Sequence, residues 1–178
     1  MNILSSKSIQ SCIDEIEKYK KDLVWKCEKF VARLAEVGIN VAKMNVNGSL
    51  GAYITFRIET DPNTTGCTAL AIASSGTIES SWIINDSTNE VKTVDISPLL
   101  MIEFGSGSKA VNNTSLPYGR GTFPNQTHAM KGYWNYKGLD GKWHRSSGVA
   151  PQQPMQKALQ EMLSNIETVA REVFGGNP

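Results

Sequence analysis

The stretch Ser97-Pro98-Leu99-Leu100-Met101-Ile102-Glu103-Phe104-Gly105 divides the chain into two regions of different character. Ser97 can accept a hydrogen bond from a free N–H group at the start of a helix, and Pro98 suits the first helical position. Two apolar turns follow, and Gly105 is placed to close the helix. The stretch therefore predicts a short buried helix over residues 98–104.

Upstream of this helix, residues 41–96 alternate short β-rich runs with turn signals. Ile54, Phe56 and Ile58 alternate with polar or aromatic residues, which is the period of a strand with one apolar face. Because the connections are short, we expect an antiparallel meander in which neighbouring strands pair in order. The predicted strands are Leu50–Ile58, Cys67–Ala73, Ile78–Ile84 and Val91–Ile96.

Two amphipathic helices are predicted at the ends of the chain. Apolar residues recur at helical spacing from Ile9 to Val37, and Gly38 is placed to end this helix. A helix of about 30 residues is about 45 Å long, which is longer than the rest of a chain of this size can cover along one side of the helix. We therefore expect part of it to pack against another subunit. A second helical pattern runs from Met155 to Phe174.

Residues 106–150 are rich in Gly, Asn, Ser and aromatic residues, and the segment is too long for an ordinary connection. Its aromatic content is unlike that of a disordered linker, so we expect it to fold back on the body or to dock on a partner. Residues 133–136 and 142–144 are short aromatic runs around a turn, which predicts a hairpin. We interpret the segment as an interaction arm with these subunit or partner contacts: Tyr118, Phe123, Tyr133, Trp134, Tyr136 and Trp143.

Together these elements predict a single α+β domain over residues 1–178. It comprises a long N-terminal helix, an antiparallel four-to-five-stranded sheet, a short buried helix, the extended arm over 106–150, and a C-terminal helix packed on the sheet. The formal net charge is only +1, so no broad field attracts nucleic acid or an anionic membrane. The three cysteines predict reduced thiols, and we expect neither a cleaved signal nor a membrane span.

Candidate catalytic groups are few. Glu103 is the only charge in its apolar stretch, and a carboxylate in such surroundings can serve as a catalytic acid with a raised pKa. No second carboxylate is available there to share that work, so a structural or interface role is favoured. His128 and His144 have no cysteine or carboxylate at metal-ligand spacing. We predict no enzyme activity, no metal and no cofactor.

Two motifs carry a resemblance to a known family. They are Glu103-Phe104-Gly105-Ser106-Gly107 and Ala150-Pro151-Gln152-Gln153-Pro154-Met155-Gln156-Lys157-Ala158-Leu159. They resemble the glutamate-phenylalanine-glycine-threonine and proline-x-x-proline-phenylalanine-leucine-x-proline-alanine-leucine motifs of the tail-component family of long-tailed bacteriophages. Here Ser106 stands for threonine, Met155 for phenylalanine and Lys157 for the third proline. The positions that correspond to the family motifs are Glu103, Phe104, Gly105, Pro151, Pro154, Met155, Ala158 and Leu159.

The resemblance implies an α+β subunit similar in fold to tail terminators and head–tail joining proteins, which form rings, commonly six-fold, at the top of a tail tube. It implies a place in a virion or phage-tail-like particle, as a tail terminator, collar or head–tail neck protein. The implied partners are other copies of the chain, as a homohexamer, and tail-tube, sheath or neck proteins. DNA is implied only as passing cargo, and no cofactor or membrane is implied.

The alternative function is a monomeric binding module. Trp134, Tyr136 and Trp143 can form a platform that stacks on sugars or on single-stranded nucleic acid. Packing in a core or an interface is the commoner use of such side chains. A stacking platform predicts a change in tryptophan fluorescence when a ligand binds to a monomer, whereas a ring subunit predicts self-association without a small ligand.

Overall fold

The computed structural model describes residues 6–63, 66–85, 88, 90–106, 109 and 133–175. The fold is α+β, as the sequence predicts. The elements are α1 (Ser6–Met44), a 3-10 turn (Ser49–Tyr53), β1 (Ile54–Asn63), β2 (Gly66–Ser75), β3 (Ile78–Asn85), β4 (Glu90–Ile96), α2 (Pro98–Phe104), β5 (Trp134–Lys137), β6 (Trp143–Ser146), α3 (Pro154–Ser164) and α4 (Ile166–Phe174).

Helix α1 does not end at Gly38, as the sequence predicted, but continues to Met44. Gly38 is buried against α3, where a Cβ atom would lie 2.7 Å from the Sδ atom of Met162. The glycine therefore allows two helices to approach closely and does not terminate one of them. The helix ends beyond it, where the N–H group of Asn45 bonds back to the carbonyl oxygens of Val41 and Ala42.

The strands form two antiparallel sheets and not one meander. Strands β1 and β2 pair along their whole lengths as a two-stranded ribbon, and the second sheet has the order β4-β3-β5-β6. Strand β3 does not pair with β2, because its other edge is occupied by β5. Ser80, which is fully buried on β3, donates a side-chain hydrogen bond to the carbonyl oxygen of Asn135 across this pairing. The predicted start of the first strand, at Leu50, lies instead in the 3-10 turn.

Helix α2 confirms the prediction made from residues 97–105. The Ser97 hydroxyl accepts a hydrogen bond from the Leu100 N–H group at 3.4 Å, and Pro98 begins the helix. Met101 and Ile102 are almost completely buried. They form the core beneath the four-stranded sheet together with Leu50, Ile78 and Ile96.

The C-terminal segment forms two helices where one was predicted. Asn165 separates α3 from α4, and its side-chain amide donates to the Glu161 carbonyl oxygen, a local bond that competes with helix continuation. Both helices pack mainly against α1 and not on the sheet. Phe174 on α4 contacts Phe30 on α1, with ring centroids 5.8 Å apart.

Part of the predicted arm over residues 106–150 belongs to the four-stranded sheet. Its hairpin is confirmed as β5 and β6, which join at a turn over Gly138–Lys142 and extend the four-stranded sheet. Residues 107, 108 and 110–132 lie outside the described part of the chain. The hairpin thus belongs to the folded body of the chain.

Candidate functional site

The two motifs meet at the start of α3. The Glu103 carboxylate, at the end of α2, accepts hydrogen bonds from the N–H groups of Met155 (2.9 Å) and Gln156 (3.1 Å). Pro154 has no N–H group, and Gln153, at the N-cap position, makes no side-chain capping bond. Glu103 therefore caps α3 from a different helix, and its negative charge also suits the positive end of the helix dipole.

Gly105 holds the two segments close together. Its backbone has φ 77° and ψ 174°, a region open almost only to glycine. A Cβ atom at this position would lie 2.7 Å from Pro151 Cδ and 3.0 Å from the Val149 carbonyl oxygen. Backbone hydrogen bonds join Ser106 and Val149 in both directions, at 2.8 and 3.1 Å. No other residue type fits here without moving the second motif.

The same junction reaches the end of α1. The Gln152 N–H group donates to the Ile102 carbonyl oxygen at 2.8 Å. Its side-chain amide binds the backbone of Asn47 in both directions, accepting from the N–H group at 2.6 Å and donating to the carbonyl oxygen at 3.0 Å. Lys157 donates to the side-chain oxygen of Asn45 at 2.8 Å. We call Ile102–Ser106 together with Val149–Gln156 the motif junction.

Gln153 is the strained residue of the motif junction. Its φ of 54° is the only positive φ at a non-glycine residue among those the structure describes. Its side-chain nitrogen is buried and has no hydrogen-bond partner within the described residues. Both features cost free energy, and the bonds made by the neighbouring residues Gln152, Met155 and Gln156 hold the conformation in place.

The predicted motif positions divide into those inside the junction and those beside it. Glu103, Gly105, Pro151 and Pro154 come together, and Pro154 is fully buried. Phe104 and Met155 are half-buried, and Ala158 is fully buried on α3. Leu159 is 52% exposed and does not belong to the junction.

The geometry at Glu103 matches the structural role favoured by the sequence. Both carboxylate oxygens accept bonds from backbone N–H groups, so the side chain is held as a helix cap. The arrangement supports a rigid connection between α2 and α3, and the site's chemistry is that of packing and hydrogen bonding.

Comparison with known proteins adds no relative. No family model, curated protein or solved structure matches this chain. The resemblance to the phage tail-component family therefore rests on the motif residues, and its functional content is a proposal.

The predicted contact residues of the arm lie in different environments. Tyr118, Phe123 and the side chain of Trp134 are outside the described part of the chain. Tyr133 is exposed and lies under the guanidinium group of Arg145, 3.9 Å from its ring centroid. Trp143 is 49% exposed. Tyr133 and Trp143 are therefore the described aromatic residues of this set that are accessible to a partner.

The aromatic platform of the alternative function does not form as one surface. Tyr136 is opposite His144 in the hairpin register and packs against the core, with the two rings stacked at 5.5 Å. Trp143 is opposite Lys137. Because neighbouring residues of a strand point to opposite faces, Tyr136 and Trp143 lie on opposite sides of the sheet. They cannot stack together on one ligand.

The hairpin turn carries the described histidine. His144 contacts the Asp140 carboxylate at 3.0 Å, and the same oxygen accepts from the Lys142 N–H group. The hydrogen bond with His144, followed by that from Lys142, lowers the pKa of Asp140 below its ordinary value. Among the described residues, no group of three metal-ligating side chains is found. His128 lies outside them.

Ser106 and Gln152 lie in the two quoted motifs, but the sequence did not predict the bonds that they make. Ser106 is fully buried, and its hydroxyl oxygen accepts from the Val149 N–H group. Gln152 binds Asn47 across 105 positions. One sequence alone does not predict such pairings, because the partners are far apart in the chain and no local pattern marks them. No helix within the described ranges is long and apolar enough to cross a bilayer.

Proposed function

We propose that the chain is a structural subunit of a phage or phage-tail-like particle that forms a ring at the top of the tail, as a tail terminator, collar or head–tail neck protein. The observation that carries this proposal is the motif junction. Residues that resemble the family's two motifs lie about fifty positions apart, and Glu103 joins them by capping α3. That both motifs serve one structural element supports the resemblance.

The open edges of the sheets support ring formation. Strands β4 and β6 are the outer strands of the four-stranded sheet as far as the described residues extend, and the ribbon of β1 and β2 is ten residues long on each side. Unpaired strand edges provide N–H and C=O groups for pairing with another chain. A closed ring needs two different complementary surfaces on each subunit, and separate edges can supply them.

Native mass measured over a concentration series, followed by electron microscopy of the largest species, tests the proposal. We expect a closed ring with a fixed number of copies, six being what the resemblance implies. Open polymers of indefinite length, or the absence of any ring at every concentration, would contradict it.

A matched pair of variants tests whether the hairpin contributes to the ring. Trp143→Ala removes an exposed aromatic side chain from β6, and we expect it to weaken the ring without changing the melting temperature of the subunit. Lys142→Ala, at the neighbouring exposed position, is the control. Equal ring stability in the two variants would exclude Trp143 as a subunit contact.

A further inference from the structure

One face of the four-stranded sheet packs on the core, and it carries Ile78, Ile96 and Tyr136. Because neighbouring residues of a strand point to opposite faces, the residues next to these three lie on the other face, which we call the outer face. The strand register gives a row across the outer face with one residue from each strand: Thr93, Ser81, Asn135 and Arg145.

The charges on the outer face are separated by sign. Strands β3 and β4 carry Glu79 and Asp95, which are opposite each other in the register. Strands β5 and β6 carry Lys137 and Arg145. Glu79 and Lys137, on the two middle strands, form an ion pair at 3.7 Å. Asp95 and Arg145 are therefore the outer-face charges of the two edge strands.

Asp95 and Arg145 are too far apart to pair within one chain. Strands β3 and β5 lie between them, and the outer strands of a four-stranded sheet are about 14 Å apart. Both residues are exposed. Asp95 takes part in no ion pair of the described residues, and Arg145 lies over the ring of Tyr133. Glu90 and Lys92, on the other face of β4, are opposite in sign and cancel.

The strand directions allow the two edges to meet head to tail. Every strand of the sheet is antiparallel to its neighbours, so β4 and β6, the outer strands of four, run in opposite directions. A second copy placed beside the first in the same orientation brings its β4 next to β6 of the first copy. These two strands are antiparallel, so the ladder of backbone hydrogen bonds can continue from copy to copy.

We propose that β6 of one copy of this chain pairs with β4 of the next copy, and that Arg145 forms an ion pair with Asp95 of that copy. If the row through Arg145 continues across the contact, Arg145 lies opposite Thr93 of the next copy. Asp95 is then its diagonal neighbour. Diagonal residues of paired strands are about 7–8 Å apart, a distance that a long side chain spans.

Charge selects this pairing over a two-fold one. Two β4 edges, or two β6 edges, can also pair as antiparallel strands, but then the outer-face charge of each edge meets no opposite charge. Pairing of β4 with β6 joins opposite charges and uses a different surface on each copy, as a ring requires. The inference rests on the proposed function and names the two edges that form the ring.

Two charge reversals in the full chain test the pairing by native mass spectrometry and analytical ultracentrifugation. Asp95→Lys and Arg145→Glu each place like charges at every contact, and we expect each to weaken association by on the order of 10- to 100-fold. The melting temperature of the single chain should change little, since both residues are exposed. Asp14→Lys makes the same charge change on the exposed part of α1 and should leave association intact.

A mixture of the two variants gives the decisive measurement. Each contact between an Asp95→Lys chain and an Arg145→Glu chain again joins opposite charges. We therefore expect the mixture to recover rings in which the two variants alternate and are present in equal number. The variants differ in mass, so native mass spectra show the composition of each ring. Damage to the fold of either variant would not be repaired by mixing.

The other outcomes separate this pairing from the proposed function. Rings that both reversals leave intact would overturn the pairing of β4 with β6 while the proposed function stands. Two weakened variants that do not recover when mixed would also overturn the pairing. Open filaments that are lost and regained with the same charge pattern would support the pairing and contradict the ring. An original chain that is monomeric at every concentration would contradict both.

Discussion

The motif junction and the exposed half of α1 differ in how far contacts within the chain satisfy their polar groups and bury their apolar side chains. At the junction, Glu103 and Gln152 join segments distant in sequence, and both carboxylate oxygens and both ends of the amide have partners within the same chain. In the exposed half of α1, Ile16 and Tyr19 have about two thirds of their surface in solvent. The bonds of Glu103 and Gln152 are thus satisfied within one copy of the chain, whereas the apolar side chains in the N-terminal half of α1 remain open to solvent.

The difference shows that an amphipathic pattern does not by itself indicate burial. Ile39 and Ile16 lie on the same helix, yet Ile39 is 3% exposed and Ile16 is 66% exposed. Helices α3 and α4 and the ribbon of β1 and β2 cover only the C-terminal part of α1. The pattern predicts which face of a helix is apolar. How much of that face is buried within the chain depends on the lengths of the elements that pack against it.

The largest effect is expected at the motif junction, from Gly105→Ala. Backbone strain at a positive φ and the clash with Pro151 together should cost roughly 4 kcal/mol of unfolding free energy. Gly48→Ala is a close control, because Gly48 has φ 87° and ψ 177° but no atom within 4 Å of an added Cβ. Denaturant unfolding of both variants isolates the cost of the clash. Equal losses would mean that the close approach at Gly105 is unimportant.

A comparison within α1 comes next. Ile39→Ala should lower the unfolding free energy by about 3 kcal/mol, because it leaves a cavity in the core. Ile16→Ala should lower it by less than about 0.5 kcal/mol when measured at a concentration where the chain is monomeric. Chemical denaturation at low and high concentration gives both values. A large loss of unfolding free energy in monomeric Ile16→Ala would mean that Ile16 is packed within the chain, and that the two halves of α1 do not differ in burial.

A smaller effect is expected from Glu103→Ala. The variant leaves the N–H groups of Met155 and Gln156 without their acceptors, which should cost about 2 kcal/mol. Glu103→Gln keeps one carbonyl acceptor and should cost about half as much. Thermal unfolding combined with amide hydrogen exchange at Met155 and Gln156 tests this. Unchanged exchange at those amides in Glu103→Ala would contradict the cap.

The smallest effect concerns the hairpin turn. The hydrogen bond with His144 and that from Lys142 hold the pKa of Asp140 below its ordinary value of 3.8. A lowered pKa means that the stability from this carboxylate is present above pH 3.8 and is lost as the pH falls through the folded-state pKa. A carboxyl NMR titration should show Asp140 titrating below 3.8, and Asp140→Ala should flatten the acid side of the stability profile slightly. Titration at or above 3.8 would show that these bonds are absent in solution.

The elements with local signals were predicted well. Ser97, Pro98 and Gly105 fix α2 through bonds and backbone preferences that act within a few residues. The hairpin of β5 and β6 follows from aromatic runs on either side of a turn. The break at Asn165 was missed because its cause is a side-chain bond to Glu161 that the apolar pattern of α3 and α4 does not reveal.

The pairings between distant segments were not predictable in this way. The short connection at Gly76 favours pairing of β2 with β3, but β5 takes that edge of β3 from more than fifty positions away. The sequence pattern predicts a helix end at Gly38, but in the structure Gly38 lies inside the helix and contacts Met162. In each case the deciding partner is remote in sequence.

The sequence by itself determined the α+β class, the presence of the long helix, the limits of α2 and the hairpin, because periodicity, caps and turns act locally. Only the tertiary structure decided that the strands form two sheets, that Glu103 caps α3, and that the apolar stripe of α1 is covered along only part of its length. Those outcomes depend on which of several distant segments occupies a given strand edge or helix face. A local pattern of residue types does not predict that choice.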